Sequence, residues 1–242
     1  ASIGVRAPLV TIDVHISNGN PGWHWVGLPE TSVREAQDRV RSALLNAHFE
    51  YPPKRITINL APADLPKEGG RFDLPIAIGI LAASGQIDMD LLKRFEFVGE
   101  LSLTGHLRAV HGVIPAVMAA QRQKREMIIP QHNGNEASLV SNTHSHLATS
   151  LLQAVNFLNQ REKLPIAQQS LQKSGANDPL VNRDLTDIIG QQHAKRALMI
   201  AAAGQHNLLF LGPPGTGKTM LASRLAALLP DMNDDEAIET AS

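Results

Sequence analysis

No cysteine occurs among the 242 residues, which excludes disulfides, thiolate zinc sites and a cysteine nucleophile. Aromatic residues are scarce, at 4% with two Trp and one Tyr, so few side chains are available for stacking on bases. Net charge is nearly absent as well. The 22 Lys and Arg and 23 Asp and Glu leave a formal −1, and nothing global points to nucleic acid or a membrane surface. No apolar run approaches the roughly 18 residues needed to span a bilayer, and the opening Ala1-Ser2-Ile3-Gly4-Val5-Arg6 lacks the apolar stretch of a signal peptide. A cytoplasmic protein without membrane contact is therefore expected. Hydrophobic residues make up 43%, enough for ordinary buried cores in one to two domains.

The most informative stretch is Gly212-Pro213-Pro214-Gly215-Thr216-Gly217-Lys218-Thr219, a complete G-x-x-x-x-G-K-T pattern. Glycines at this spacing let successive N–H groups face one centre that can hold phosphate oxygens. Lys218 is then placed for the β and γ phosphates, and the Thr219 hydroxyl for Mg2+. The context fits: Asn207–Leu211 predicts a short buried strand, and Met220, Leu221, Leu225 and Leu228 predict a helix over Lys218–Leu229. Phosphate would sit at a helix N-terminus, so ATP or GTP, with Mg2+, is the expected ligand of the intact protein. Turnover also needs an acidic metal partner and a water-orienting residue from later strands. After Thr219 the acids are Asp231, Asp234, Asp235, Glu236 and Glu239, in a polar tail that no apolar strand precedes. They read as a solvated segment, and the 242 residues are expected to bind nucleotide without completing a catalytic site.

Composition divides the chain. Residues 166–180 are polar and rich in Gln and Ser, which predicts a linker between a domain over 1–165 and the opening part of a nucleotide domain over 181–242. The upstream region reads as α/β. Leu9–Ile16 alternates as a half-buried strand, Asn18–Gly22 is a turn signal, and Trp23–Val26 returns, so the simplest reading is a hairpin. Trp23 and Trp25 read as packing residues. Ser32 and Glu35 form a capping-box pattern before a helix with Val33, Ala36, Val40, Ala43, Leu44 and Ala47 on one face. Arg34, Arg39 and Arg41 fall largely off that face, interleaved with Glu35 and Asp38, and read as solvated ion pairs. Arg55–Leu60 reads as a strand, and the Pro- and Gly-rich loop 61–71 as exposed. Asp73 is placed to cap a helix that is apolar almost all round and therefore buried. Strands are expected over Phe95–Leu103, His106–Val110 and Met127–Ile129, with helices over Pro115–Gln123 and after Ser150. His144 and His146 would share a strand face but lack a third ligand, and read as surface residues.

Three segments together carry a resemblance: Glu68-Gly69-Gly70-Arg71-Phe72-Asp73-Leu74-Pro75-Ile76-Ala77-Ile78-Gly79, Val98-Gly99-Glu100-Leu101-Ser102-Leu103-Thr104-Gly105, and Gly212–Thr219. They are similar to the bacterial magnesium-chelatase-like AAA+ proteins of the ComM/YifB family. The resemblance implies an N-terminal ChlI-type domain with the fold of the Lon proteolytic domain, not itself proteolytic, followed by the start of an AAA+ P-loop α/β domain. It further implies a homo-hexameric motor driving branch migration of DNA in natural transformation, with branched or single-stranded DNA as partner. Two other activities belong to relatives of these domains. A Lon-type peptidase needs a serine and a lysine base; aligned here, Asp73 takes the serine position and Ala116 the lysine position, and Ser84 and Lys124 lie too far along their helices to substitute. Metal insertion into a porphyrin, as in magnesium chelatase, finds no ligand set in the sequence. Basic residues over Arg34–Arg41 and Lys54–Arg71 are the candidate DNA contacts of the N-terminal region.

Overall fold

Every second residue of Thr11–Ser17 (β1) is apolar, so the strand turns one face toward a core and the other toward water. Gly22–Val26 (β2) does the same through Trp23 and Trp25. In the computed structural model, which describes residues 7–27, 30–168, 184–230, 232, 236 and 240, these two strands do not pair. Between them lies Arg55–Ala61 (β3), antiparallel to β1 and parallel to β2. The expected hairpin is thus replaced by the order β1-β3-β2. The reason lies in β3, whose Ile56, Ile58 and Leu60 are fully buried: the most apolar strand takes the centre. The four residues of the turn need bridge only two strand spacings, about 10 Å.

Thr31–Arg34 (α1) and Ala36–Asn46 (α2) bury Val33, Ala36, Val40, Ala43 and Leu44, as their spacing predicts. The capping box does not form. Ser32 lies inside α1, and its hydroxyl accepts the N–H of Gly69 at 3.0 Å, tying the helix to the glycine-rich loop. A 3-10 turn over Gly70–Phe72 leads into Asp73–Ala83 (α3), which is apolar apart from Asp73, with Leu74, Ile76, Ile80 and Leu81 fully buried. Burial of each such side chain stabilises the fold by about 1.5–3 kcal/mol. Gly79 permits close approach to β1, since a Cβ there would meet Val14 Cγ2 at 2.7 Å.

Met89–Leu92 (α4) precedes Phe95–Phe97 (β4), Glu100–Leu101 (β5) and Leu107–Arg108 (β6). The single strand expected over Phe95–Leu103 breaks at Val98-Gly99. There the chain leaves the β4 line: Gly99 N–H donates to Arg71 O at 3.1 Å and its carbonyl accepts Leu74 N–H at 3.0 Å. Val113–Arg122 (α5), Glu126–Pro130 (β7), Gly134–Ala137 (α6), Ser145–Ala148 (β8) and Leu151–Leu158 (α7) complete the region. β4, β7 and β8 form a parallel sheet in that order, and β5 pairs antiparallel with β6. Ser150 caps α7 as expected, accepting Gln153 N–H at 3.2 Å. Pro165 and Ala167, at the start of the polar stretch, bond to β8 through Leu147 N–H and Ser145 O, each at 2.8 Å.

The architecture is mixed α/β in two compact units, one within residues 1–170 and the other within 171–233. The smaller unit contains Gln192–Gly204 (α8), Lys218–Ala222 (α9) and Leu225–Leu228 (α10) around Leu185, Ile188, Leu198 and Leu221. The strand expected over 207–211 is not formed; Leu209 is 77% and Leu211 86% exposed. A strand of this type is held by neighbours on both edges, and among the described residues of this unit there is no strand to pair with it. The helix expected over Lys218–Leu229 divides at Ser223-Arg224. Leu221 is buried, whereas Met220 is 50% exposed, so the apolar face is only partly used.

Candidate nucleotide-binding loop

The chain from Gly212 to Thr219 runs from the end of the apolar segment into the first turn of α9. Gly215 and Gly217 have φ of 80° and 81°, a left-handed conformation that L side chains rarely adopt. A Cβ at either would meet nothing within 4 Å, so conformation rather than space requires glycine there. Thr216 closes the turn by donating its hydroxyl to Pro213 O at 3.0 Å. Among the described residues, the N–H groups of Gly215, Thr216, Gly217, Lys218 and Thr219 have no main-chain acceptor. Lys218 folds its ammonium onto the loop, donating to Gly212 O at 2.9 Å and Pro213 O at 2.6 Å, with Thr216 Oγ1 at 3.4 Å. Thr219 is exposed in the first helical turn. Five free N–H groups and one ammonium beside them suit a ligand rich in anionic oxygens, and phosphate fits that donor set. Of the acids after the loop, Asp231, Asp234, Asp235 and Glu239 lie outside the described residues, as do residues 169–183.

The other sequence candidates fall into the larger unit. Asp73, at the position that the Lon resemblance gives to serine, does not cap α3 but turns inward and is 0% exposed. Its carboxylate accepts Arg39 Nε at 2.7 Å, Arg39 Nη2 at 3.0 Å and Leu101 N–H at 3.1 Å. Burial pushes the Asp73 carboxyl above the ordinary range, against the pull of Arg39 and of the Leu101 N–H. The hydrogen bond to Asp73, foremost, holds the Arg39 guanidinium up. Arg39 is therefore a core ion pair, not the solvated one expected. Sequence held one signal for this: a lone carboxylate inside an apolar helix requires a cation. Ala116 offers a methyl group where a base would stand.

Loop 61–71 departs from its expected exposure at Lys67, fully buried, whose ammonium donates to the carbonyls of Pro62 and Leu65. Arg41 lies over the Tyr51 ring at 5.4 Å, and Arg71 donates to Gly112 O at 3.4 Å. Of the two basic segments, Arg39 and Lys67 turn inward, whereas Arg34, Arg41, Lys54 and Arg55 are exposed. Trp23 donates to the Tyr51 hydroxyl at 2.6 Å and lies 5.3 Å from the Trp25 ring, both packed against the core as expected. His144 is exposed, but His146 is buried between Phe95 and Phe157 and bonded to Glu126 at 2.6 Å, which corrects the surface reading. Among the described residues no cluster of three or more His, Asp or Glu could hold a metal ion.

Both units match one family's models: "Subunit ChlI of Mg-chelatase" over residues 12–133 and "Magnesium chelatase, subunit ChlI" over residues 184–242. The chain belongs to the magnesium-chelatase ChlI family. Within that family it is similar to Competence protein ComM of Haemophilus influenzae, 72% identical over all of this chain and 48% of that protein. It is also similar to the uncharacterized protein YifB of Salmonella typhimurium, 52% identical over all of this chain and 47% of that protein. The chain thus spans about half the length of the curated relatives it matches, and the expected likeness to ComM and YifB holds over all of this chain. A shorter likeness links this family member to the Archaeal Lon protease of Thermococcus kodakarensis, 37% identical over 60 residues, 25% of the chain. No helix among the described residues is long and apolar enough to cross a membrane.

Proposed function

We propose that the intact protein is an ATP-driven motor that moves branched DNA, with this chain supplying the nucleotide-binding loop. The observation that carries the reading is the Gly212–Thr219 loop, with its unpaired amides and its lysine, in a chain alike throughout to a competence protein. The amides of Gly215–Thr219 receive the phosphate oxygens, and Lys218 exchanges its carbonyl partners for the β and γ oxygens. Thr219 would hold Mg2+, and the ion would supply positive charge beside the phosphates. The acidic metal partner and the water-orienting residue come from the rest of the polypeptide. Assembly as a hexamer in the cytoplasm, with nucleotide between subunits and DNA led through the ring, completes the proposal. Residues 1–165 act as a non-proteolytic accessory domain, 166–180 as a linker and 181–242 as the opening of the ATPase domain. Metal insertion into a tetrapyrrole is the second reading, favoured by the family description alone.

Titration of the intact protein with a fluorescent ATP analogue tests the core of this reading. Each charge-assisted bond from Lys218 contributes on the order of 1.5–3 kcal/mol, so Lys218→Ala weakens binding at least tenfold. Equal affinity of wild type and Lys218→Ala would remove the loop from nucleotide binding.

A further inference from the structure

Two sheets end on one cleft in the larger unit. β1 is the outer strand of β1-β3-β2, and β4 is the outer strand of β4-β7-β8. Residues 7–12 and 95–98 line the same cavity of about 270 Å3. Its floor is α3, which packs beneath both β1 and β4 and contributes Pro75, Ile78 and Gly79. One helix therefore carries two sheets with a slot between their edges.

The backbone of β4 is bonded on one side. Arg94 O accepts Glu126 N–H at 3.0 Å and Val98 N–H donates to Ile128 O at 3.3 Å, so the even-numbered residues face β7. By the alternation of a strand, the N–H and C=O groups of Phe95 and Phe97 face the slot, and among the described residues no strand takes them. Glu96 adds a second unmet demand. Its Oε1 is buried without a hydrogen-bond partner, and Arg125 Nη1 stands 3.7 Å away. A buried acceptor of this kind costs about 1–3 kcal/mol unless a donor reaches it.

We propose that a β-strand from the part of the polypeptide outside residues 1–242 occupies this slot, pairing with β1 on one edge and β4 on the other and bringing a donor to Glu96. Two three-stranded sheets and the added strand then form one seven-stranded sheet over α3. An occupant from the same polypeptide follows from the length of the relatives, of which this chain covers 48% and 47%. A tethered strand reaches the slot at high effective concentration, and an apolar edge left open would invite pairing between copies.

Amide exchange in the intact protein tests the proposal. The Phe95 and Phe97 amides should exchange on the order of 100-fold slower than unprotected amides, at every protein concentration. Unprotected rates at both positions overturn it. Protection that grows with concentration overturns it in favour of a second copy. A photoreactive side chain at Leu9, which lines the slot and is 38% exposed, identifies the occupant. A cross-link to a peptide of the same polypeptide outside residues 1–242 is expected; cross-links confined to residues 1–242 or to another protein overturn the assignment.

Discussion

Replacing Arg39 with Met would leave the fully buried Asp73 carboxylate with one donor, the Leu101 N–H at 3.1 Å. Among the described residues, the Arg39 contacts at 2.7 and 3.0 Å are its charged compensation. Removing one partner of a buried pair costs about 3–5 kcal/mol, far more than the pair contributes net, because the remaining charge stays out of water. At about 2–4 °C per kcal/mol for a domain of this size, Tm falls by roughly 6–20 °C. The double variant Arg39→Met/Asp73→Leu removes both charges and should recover all but about 1–3 kcal/mol, the cost of an orphaned Leu101 N–H. Both tryptophans of the chain, Trp23 and Trp25, lie in this unit, so their fluorescence in urea reports its unfolding directly. The sign with pH follows from the direction at Asp73. Burial raises its carboxyl, and loss of Arg39 raises it further. A raised carboxyl adds stability in acid that is lost as pH climbs through the folded-state value, so Arg39→Met approaches wild type on acidification. A loss under about 1 kcal/mol at neutral pH, or a double variant as unstable as the single, would refute the buried-pair reasoning.

Three further outcomes are expected. Lys67→Met orphans the carbonyls of Pro62 and Leu65 and should cost about 1–3 kcal/mol for each, read by the same urea titration. Gly217→Ala forces an L side chain to φ 81° in open space, which costs about 1–2 kcal/mol of strain; nucleotide affinity of the intact protein should drop several-fold. Burial raises the Glu126 carboxyl, but His146 and Arg94 together outweigh it and hold the group below its ordinary value. That stability is present above the unfolded-state value and is lost as pH falls through the folded-state value, so Glu126→Gln should flatten the acid limb of a stability–pH curve.

Local patterns were the legible part of this molecule. The G-x-x-x-x-G-K-T run, the apolar face of α2, the Ser150 cap and the buried α3 all follow from spacing and capping chemistry within a few residues. What sequence reading missed was long-range. The β1-β3-β2 order depends on which strand is most apolar, and turn residues say nothing about an intervening strand. The Arg39–Asp73 pair spans 34 positions, and Ser32, which looks like a cap, is claimed by Gly69. Lys67 looked exposed in a Pro- and Gly-rich loop, yet that loop folds its carbonyls around the ammonium. The run 207–211 reads as a strand because it is apolar, but apolarity alone cannot form one without neighbours to bond.

The central claim is tested most directly by ATP hydrolysis of the intact protein without DNA, with linear duplex and with a four-way junction, alongside Lys218→Ala. The account predicts hydrolysis stimulated most by the junction and abolished by Lys218→Ala. Hydrolysis that persists undiminished in Lys218→Ala would contradict the role of the loop, and a rate indifferent to every DNA would contradict the motor.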